Sequence, residues 1–150
     1  MIVWTEQYET GSAELDQQHR LLIDNINLLG DQLRDQNRTP EELEFAVHLV
    51  DYLEAYAKIH FQNEERCMKS ARCPVFAENR AEHVRFLGFI GDYKRRCEAD
   101  GFSTELLREL HRVIVNWIKG HILKVDTQLR PCLVPTIPRI AAVVPGQPGS

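Results

Sequence analysis

Four of the six histidines, His19, His60, His83 and His121, recur in phase with apolar residues. The other two, His48 and His111, fall off those stripes and read as ordinary surface histidines. A buried imidazole with an unfilled lone pair or an unpaired N–H costs about 1–3 kcal/mol. Four of them, one on each of four segments, point to a shared cation that removes that cost. Glu64 follows His60 by four residues, one helical turn along the same face. A buried unpaired carboxylate is expensive, and a bound cation offsets it. Imidazoles with a few carboxylates suit iron, zinc, copper or nickel rather than magnesium or calcium. A second carboxylate, Asp126, lies five residues after His121, an awkward step for an ideal helix. Pattern alone does not separate it from a solvated Asp near a helix end. Four histidines and two carboxylates exceed what one tetrahedral zinc needs, and suit two metals bridged by carboxylates. The Glu-x-x-His pairs of ferritin-like bundles are absent.

One further polar residue shares a stripe. In "VFAENRAEHVRFLGFI", Phe76, His83, Phe86, Leu87 and Ile90 recur at three- and four-residue steps, and Asn79 falls among them. Asn79 is open to three readings: a ligand, the replacement of one, or a satisfied core amide.

The elements that must position these residues are helical, since no segment shows strand alternation. The first is expected from about Ser12 or Asp16 to Gln36, with Leu15, His19, Leu22, Ile26, Leu29 and Leu33 inward. The second starts at "TPEE", where Thr39 suits the N-cap and Pro40 the first helical position, and continues to about Lys69. The third follows "ARCP" from about Val75 to Ala99, and Gly101 closes it. The fourth, capped by Ser103 or Thr104, is expected to reach about Gln128. Short connections make neighbours antiparallel. The expected fold is all-α, an up-down-up-down four-helix bundle with a di-metal site in its core, over residues 1–130.

Residues 131–150 hold five of the seven prolines and read as a Pro-rich tail or as a linker to a further domain. Cys67, Cys73, Cys97 and Cys132 form no CxxC pair and read as free thiols, with a Cys67–Cys73 redox pair as the alternative. The net charge of −4, with no basic stripe, gives no sign of a nucleic-acid partner. No apolar run approaches the roughly 18 residues of a membrane span, and "MIVWTEQYETGS" lacks a signal-peptide pattern. The expected location is cytoplasmic.

Four motifs carry a family resemblance: "YETGSAELDQQH" ending at His19, "HFQNEE" from His60, "AEHVRFL" around His83, and "WIKGHILKVD" from Trp117 to Asp126. Together they resemble the hemerythrins, particularly bacterial hemerythrin-like domains, over roughly residues 2–130. The resemblance implies two iron ions, oxo- or hydroxo-bridged, inside a four-helix bundle, with dioxygen bound at an open iron position. It implies Glu64 and Asp126 as bridges, His19 and His60 on one iron, and His83 and His121 on the other. It also implies a seventh ligand, a histidine, at the position held here by Asn79. Asn79 is expected not to bind iron directly, leaving that position to water or an exogenous ligand. Both irons would then be open, and dioxygen, azide or nitric oxide would enter readily. Phe61, Trp117, Ile118 and Ile122 are expected to wall the ligand pocket, a role compatible with plain core packing. The favoured function is an oxygen or redox sensor joined to an output domain, such as a diguanylate cyclase or chemotaxis receptor. The competing functions are an oxygen carrier or store, a di-iron peroxidase or nitric-oxide-handling enzyme, and a bundle that has lost its metal.

Overall fold

Three of the four long helices start where a side-chain oxygen takes an unpaired backbone N–H. The structure, a computed structural model, describes residues 1–35 and 38–133. Ser12 caps α1 (Ala13–Gln32) by accepting from the Leu15 amide at 3.3 Å. Thr39 caps α2 (Pro40–Ser70) with a full capping box. Its hydroxyl accepts from the Glu42 amide at 3.2 Å, and the Glu42 carboxylate accepts from the Thr39 amide at 3.0 Å. Ser103 caps α4 (Thr104–Lys124) in the same way. Between α2 and α3 (Phe76–Asp100) the chain turns through Arg72, at φ 54. The Cys73 amide reaches back to the Met68 carbonyl and the Arg72 amide to that of Lys69, a Schellman closure with Arg where Gly is usual.

The four helices run up-down-up-down in a ring, α1 beside α2, α2 beside α3, α3 beside α4, and α4 back beside α1. The main core lies along the bundle axis and includes Leu22, Ile26, Leu53, Ile90, Leu110 and Ile114. Polar contacts reinforce the seams. Lys94 of α3 meets Asp51 (2.7 Å) and Glu54 (3.0 Å) of α2, and the Tyr93 hydroxyl donates to Glu109 of α4 at 2.7 Å. All four cysteines are free thiols. Cys73 and Cys132, rather than Cys67, converge on one acceptor, the Gln128 carbonyl, at 3.6 and 3.5 Å.

Two helix ends depart from the sequence reading. α1 stops at Gln32, not Gln36, because its last turn tightens into i to i+3 bonds at Leu33 and Arg34. The Arg108 side chain then takes the Leu33 and Arg34 carbonyls, at 2.7 and 3.3 Å, in place of further helical donors. α4 stops at Lys124, not Gln128. Val125 leaves ideal helical geometry at φ −113, and a 3-10 turn, Asp126–Leu129, leads into the short α5 (Arg130–Leu133). Leu129 is fully buried with Leu15, Met68 and Cys73 in a second, smaller core. α5 is held to the N-terminal segment by Arg130, which donates to the Glu9 carbonyl. The Pro-rich stretch from residue 134 lies outside the described residues.

His111 is a third correction. It is not a surface histidine: its half-buried Nε2–H donates to the Ile26 carbonyl of α1 at 3.0 Å. The ring fits because Gly30 has no side chain, since a Cβ there would lie 2.8 Å from two atoms of the imidazole. Gly30→Ala should therefore destabilise the bundle by about 1 kcal/mol net. Overpacking costs of about 1–3 kcal/mol exceed the roughly 1 kcal/mol gained in helix propensity. Denaturant unfolding of the single variant, and of Gly30→Ala with His111→Ala, measures this; the second change should recover most of the loss.

Candidate metal centre

Each of the four long helices delivers one imidazole to a single buried point in the bundle. His19 comes from α1, His60 from α2, His83 from α3 and His121 from α4. All are at most 3% exposed. Glu64 comes from α2 one turn after His60. Asp126 comes from the 3-10 turn after α4, and both are buried. The break at Val125 is what lets Asp126 reach the same point as His121. This resolves the awkward five-residue step that helical periodicity left open.

The oxygens of the two acids are divided between two pairs of histidines. Glu64 Oε2 lies 3.1 Å from His19 Nε2 and 3.4 Å from His60 Nε2, and Asp126 Oδ2 lies 3.1 Å from His19 Nε2. On the other side, Glu64 Oε1 lies 3.2 Å from His83 Nε2, and Asp126 Oδ1 lies 3.0 Å from His121 Nε2. Two four-residue groups result, His19–His60–Glu64–Asp126 and Glu64–His83–His121–Asp126, each with donor atoms within 4.8 Å of one another. The acids belong to both groups. Each group could hold a metal ion.

The unpaired atoms at this point fit such cations. His19 Nε2, Glu64 Oε2 and Asp126 Oδ1 are buried without a hydrogen-bond partner among the described residues. His83 Nε2 and His121 Nε2 face each other at 3.1 Å. Both rings point Nδ1 at a carboxylate, which can only accept, so Nδ1 carries the hydrogen. Two lone pairs then confront one another unless a proton or a cation lies between them.

Three residues that sequence reasoning missed orient these rings. Gln18 Oε1 accepts from His60 Nδ1 at 2.7 Å, Glu65 Oε2 from His83 Nδ1 at 2.9 Å, and Glu82 Oε1 from His121 Nδ1 at 3.3 Å. A signal was available in part: Gln18, Glu65 and Glu82 directly adjoin His19, Glu64 and His83 in the chain. Each supports a ring on the following helix, which adjacency alone could not reveal. Aromatic faces complete the positioning. Phe61 stacks on His83 (3.8 Å between centroids, 5° between planes) and Trp117 on His121 (4.3 Å, 12°). Ile118 and Ile122 are buried in the main core. An open groove of about 320 Å³, lined by Glu82, Trp117, Gly120 and Lys124, runs outside His121 between α3 and α4.

Asn79 adjoins the centre through Glu64. It is fully buried, and its amide N–H donates to Glu64 Oε1 at 2.8 Å and to Met68 Sδ at 3.1 Å. Only the nitrogen end can face a carboxylate as a donor. Its carbonyl oxygen has no partner among the described residues.

The architecture and the site define a class: an all-α bundle with a candidate metal site of His, Glu and Asp residues in its core. A sequence model of the Hemerythrin HHE cation binding domain matches residues 10–133. The chain belongs to that family. It is similar to the bacteriohemerythrin of Methylococcus capsulatus, at 31% identity over 89% of this chain and 97% of that protein. The bacteriohemerythrin of Clostridium acetobutylicum is 27% identical over 85% of this chain and 98% of that protein. A solved crystal structure of wild-type hemerythrin superposes with a TM-score of 0.75 at 27% identity, covering 89% of this chain and 98% of that one.

Without a cation, a proton takes its place. Burial alone would lower the His19 pKa, but its contacts with Asp126 and Glu64 outweigh burial and raise it to about 10. Burial would raise the Glu64 carboxyl, but His19, His60 and His83 hold it well below the usual range. His60 is pulled down by burial. The stability contributed by charged His19 is full below its unfolded pKa of about 6.5, and is lost as pH rises through about 10. Loading the metal-free protein at pH 8 must therefore expel that proton. Titration with a divalent cation in weakly buffered indicator dye should release about one proton per chain from His19. A His19→Ala variant should release correspondingly less.

Proposed function

We propose that the chain is a non-heme di-iron domain that takes up dioxygen or another small ligand, such as azide or nitric oxide, and serves as an oxygen or redox sensor. The observation that carries this reading is the division of the Glu64 and Asp126 oxygens between two pairs of imidazoles. His19 and His60 would hold one iron, and His83 and His121 the other, with both acids bridging. When bound, the irons supply reversible one-electron chemistry and open positions for a small ligand. The chain's own residues set how that ligand is treated. Asn79 gives Glu64 a hydrogen bond where the family resemblance implies a third imidazole, so the His83–His121 position keeps only two nitrogen donors. Phe61 and Trp117 keep the rings fixed and limit water, while the groove beside His121 offers a way in.

The sensing role is supported by where Asp126 lies. It sits between α4 and α5, so a change of charge at the centre acts first on the segment that leads out of the bundle. An output domain of the diguanylate-cyclase or chemotaxis-receptor kind, in the cytoplasm, suits that placement. The linker that would join it is expected at residues 131–150, of which 131–133 belong to α5 and the rest lie outside the described residues. No described helix is long and apolar enough to cross a membrane. A second reading, an oxygen carrier or store, is favoured by one observation: two bacteriohemerythrins are matched over 97% and 98% of their length. In those proteins the bundle is nearly the whole chain.

Iron analysis of purified protein should give about two irons per chain, as a carboxylate-bridged pair requires; a value well below that would sink the di-iron reading. The visible absorption that develops when reduced protein meets air separates sensor from store. It should fade quickly, and fade more slowly in Asn79→His. Equal persistence in both proteins would favour the store.

A further inference from the structure

The two halves of the centre are matched in imidazoles and carboxylate oxygens but not in what stands behind them. In the His19–His60 half, His60 Nδ1 meets the neutral amide of Gln18, and His19 Nδ1 meets no partner among the described residues. In the other half, both rings meet a carboxylate, His83 through Glu65 and His121 through Glu82. Neither Glu65 nor Glu82 pairs with a Lys or Arg among the described residues, so both negative charges are directed at the rings. This is also the half where Asn79 stands, and where Glu64 Oε1 already accepts a hydrogen bond from the Asn79 amide. A carboxylate oxygen that accepts such a bond gives less electron density to a cation.

We propose that Glu65 and Glu82 are positioning residues that make His83 and His121 the stronger imidazole donors of the centre, compensating there for the nitrogen ligand that Asn79 does not supply. The inference rests on the two-cation reading above. The physical cause is familiar from metal-bound histidines: an N–H held by a carboxylate raises the basicity of the opposite nitrogen and fixes the ring plane. Here the plane is fixed twice, because Phe61 and Trp117 also cover one face of His83 and of His121. By contrast His19 and His60 meet edge to face, 4.4 Å apart, with no aromatic clamp of this stacked kind. The extra negative charge also favours the more highly charged ion in the Asn79 half. That half would be oxidised first and reduced last.

The test uses the full chain and Co(II), whose visible spectrum reports each ion bound without any reaction with oxygen. Glu65→Gln and Glu82→Gln keep an oxygen to accept from Nδ1 and remove only the charge. Wild type should take up two Co(II) per chain. Each variant should keep its helical circular dichroism and its first Co(II), while the dissociation constant of the second rises about tenfold or more. The double variant should lose affinity further, since the two acids act on different rings. In iron-loaded protein, the potential of the half that oxidises first should move positive in both variants. Gln18→Glu, on the other half, should leave that potential in place and tighten the other ion. Unchanged second-ion affinity and potential in both single variants would overturn the inference while leaving the two-cation reading intact. Loss of both ions together would reduce Glu65 and Glu82 to general supports, and would overturn it as well. Fewer than two Co(II) in wild type would remove the reading itself, and this inference with it.

Discussion

Glu64 and Asp126 present four carboxylate oxygens to a place that water does not reach, and everything around them answers that fact. Two negative charges in a helical core are affordable only beside positive charge held at close range. The four imidazoles are the local answer, since each can carry a proton or leave a lone pair for a cation. The raised pKa of His19 and the depressed one of Glu64 have the same origin. So does the placement of the aromatic residues, which hold rings that would otherwise be free to turn away.

The bundle meets this demand by departing from regularity at one place. A straight continuation of α4 past Lys124 would carry Asp126 around the helix and away from His121. The turn at Val125 costs some helical hydrogen bonding, which the 3-10 bonds of the following residues partly replace. The burial of Leu129 against Leu15, Met68 and Cys73 anchors the redirected chain. Elsewhere the helices are ordinary, three of the four long ones opened by side-chain caps and all packed on apolar stripes.

Much of this was legible in the sequence because a helix writes its inward face at regular steps. His19, His60, Glu64, His83 and His121 fell on those stripes, and the structure brings them together. Asp126 did not, because its position depends on an irregular turn that periodicity cannot express; only the motif resemblance selected it. His111 was misread for a different reason. Its burial depends on the space left by Gly30 on another helix, and a single stripe holds no record of that. Asn79 was correctly placed inward, but its hydrogen bond to Glu64 arises between helices. The α1 end was overrun because the Arg108 side chain that replaces its last donors comes from 75 residues further along the chain.

The supports behind the rings follow a rule of their own. The residue beside the α1 ligand holds the α2 ring, the one beside the α2 carboxylate holds the α3 ring, and the one beside the α3 ligand holds the α4 ring. Rotating any helix by one residue swings it by about 100°. That movement would withdraw the helix's own ligand and also the brace of its neighbour. Apolar packing alone tolerates small slips of this kind, because one branched side chain fills much the same space as another. The polar chain does not, so a wrong register breaks two contacts at each step. The same residues that hold the rings thereby act as a key that admits one alignment of the four helices. The key has a single open side, at His19, where the circle from α4 back to α1 is not completed.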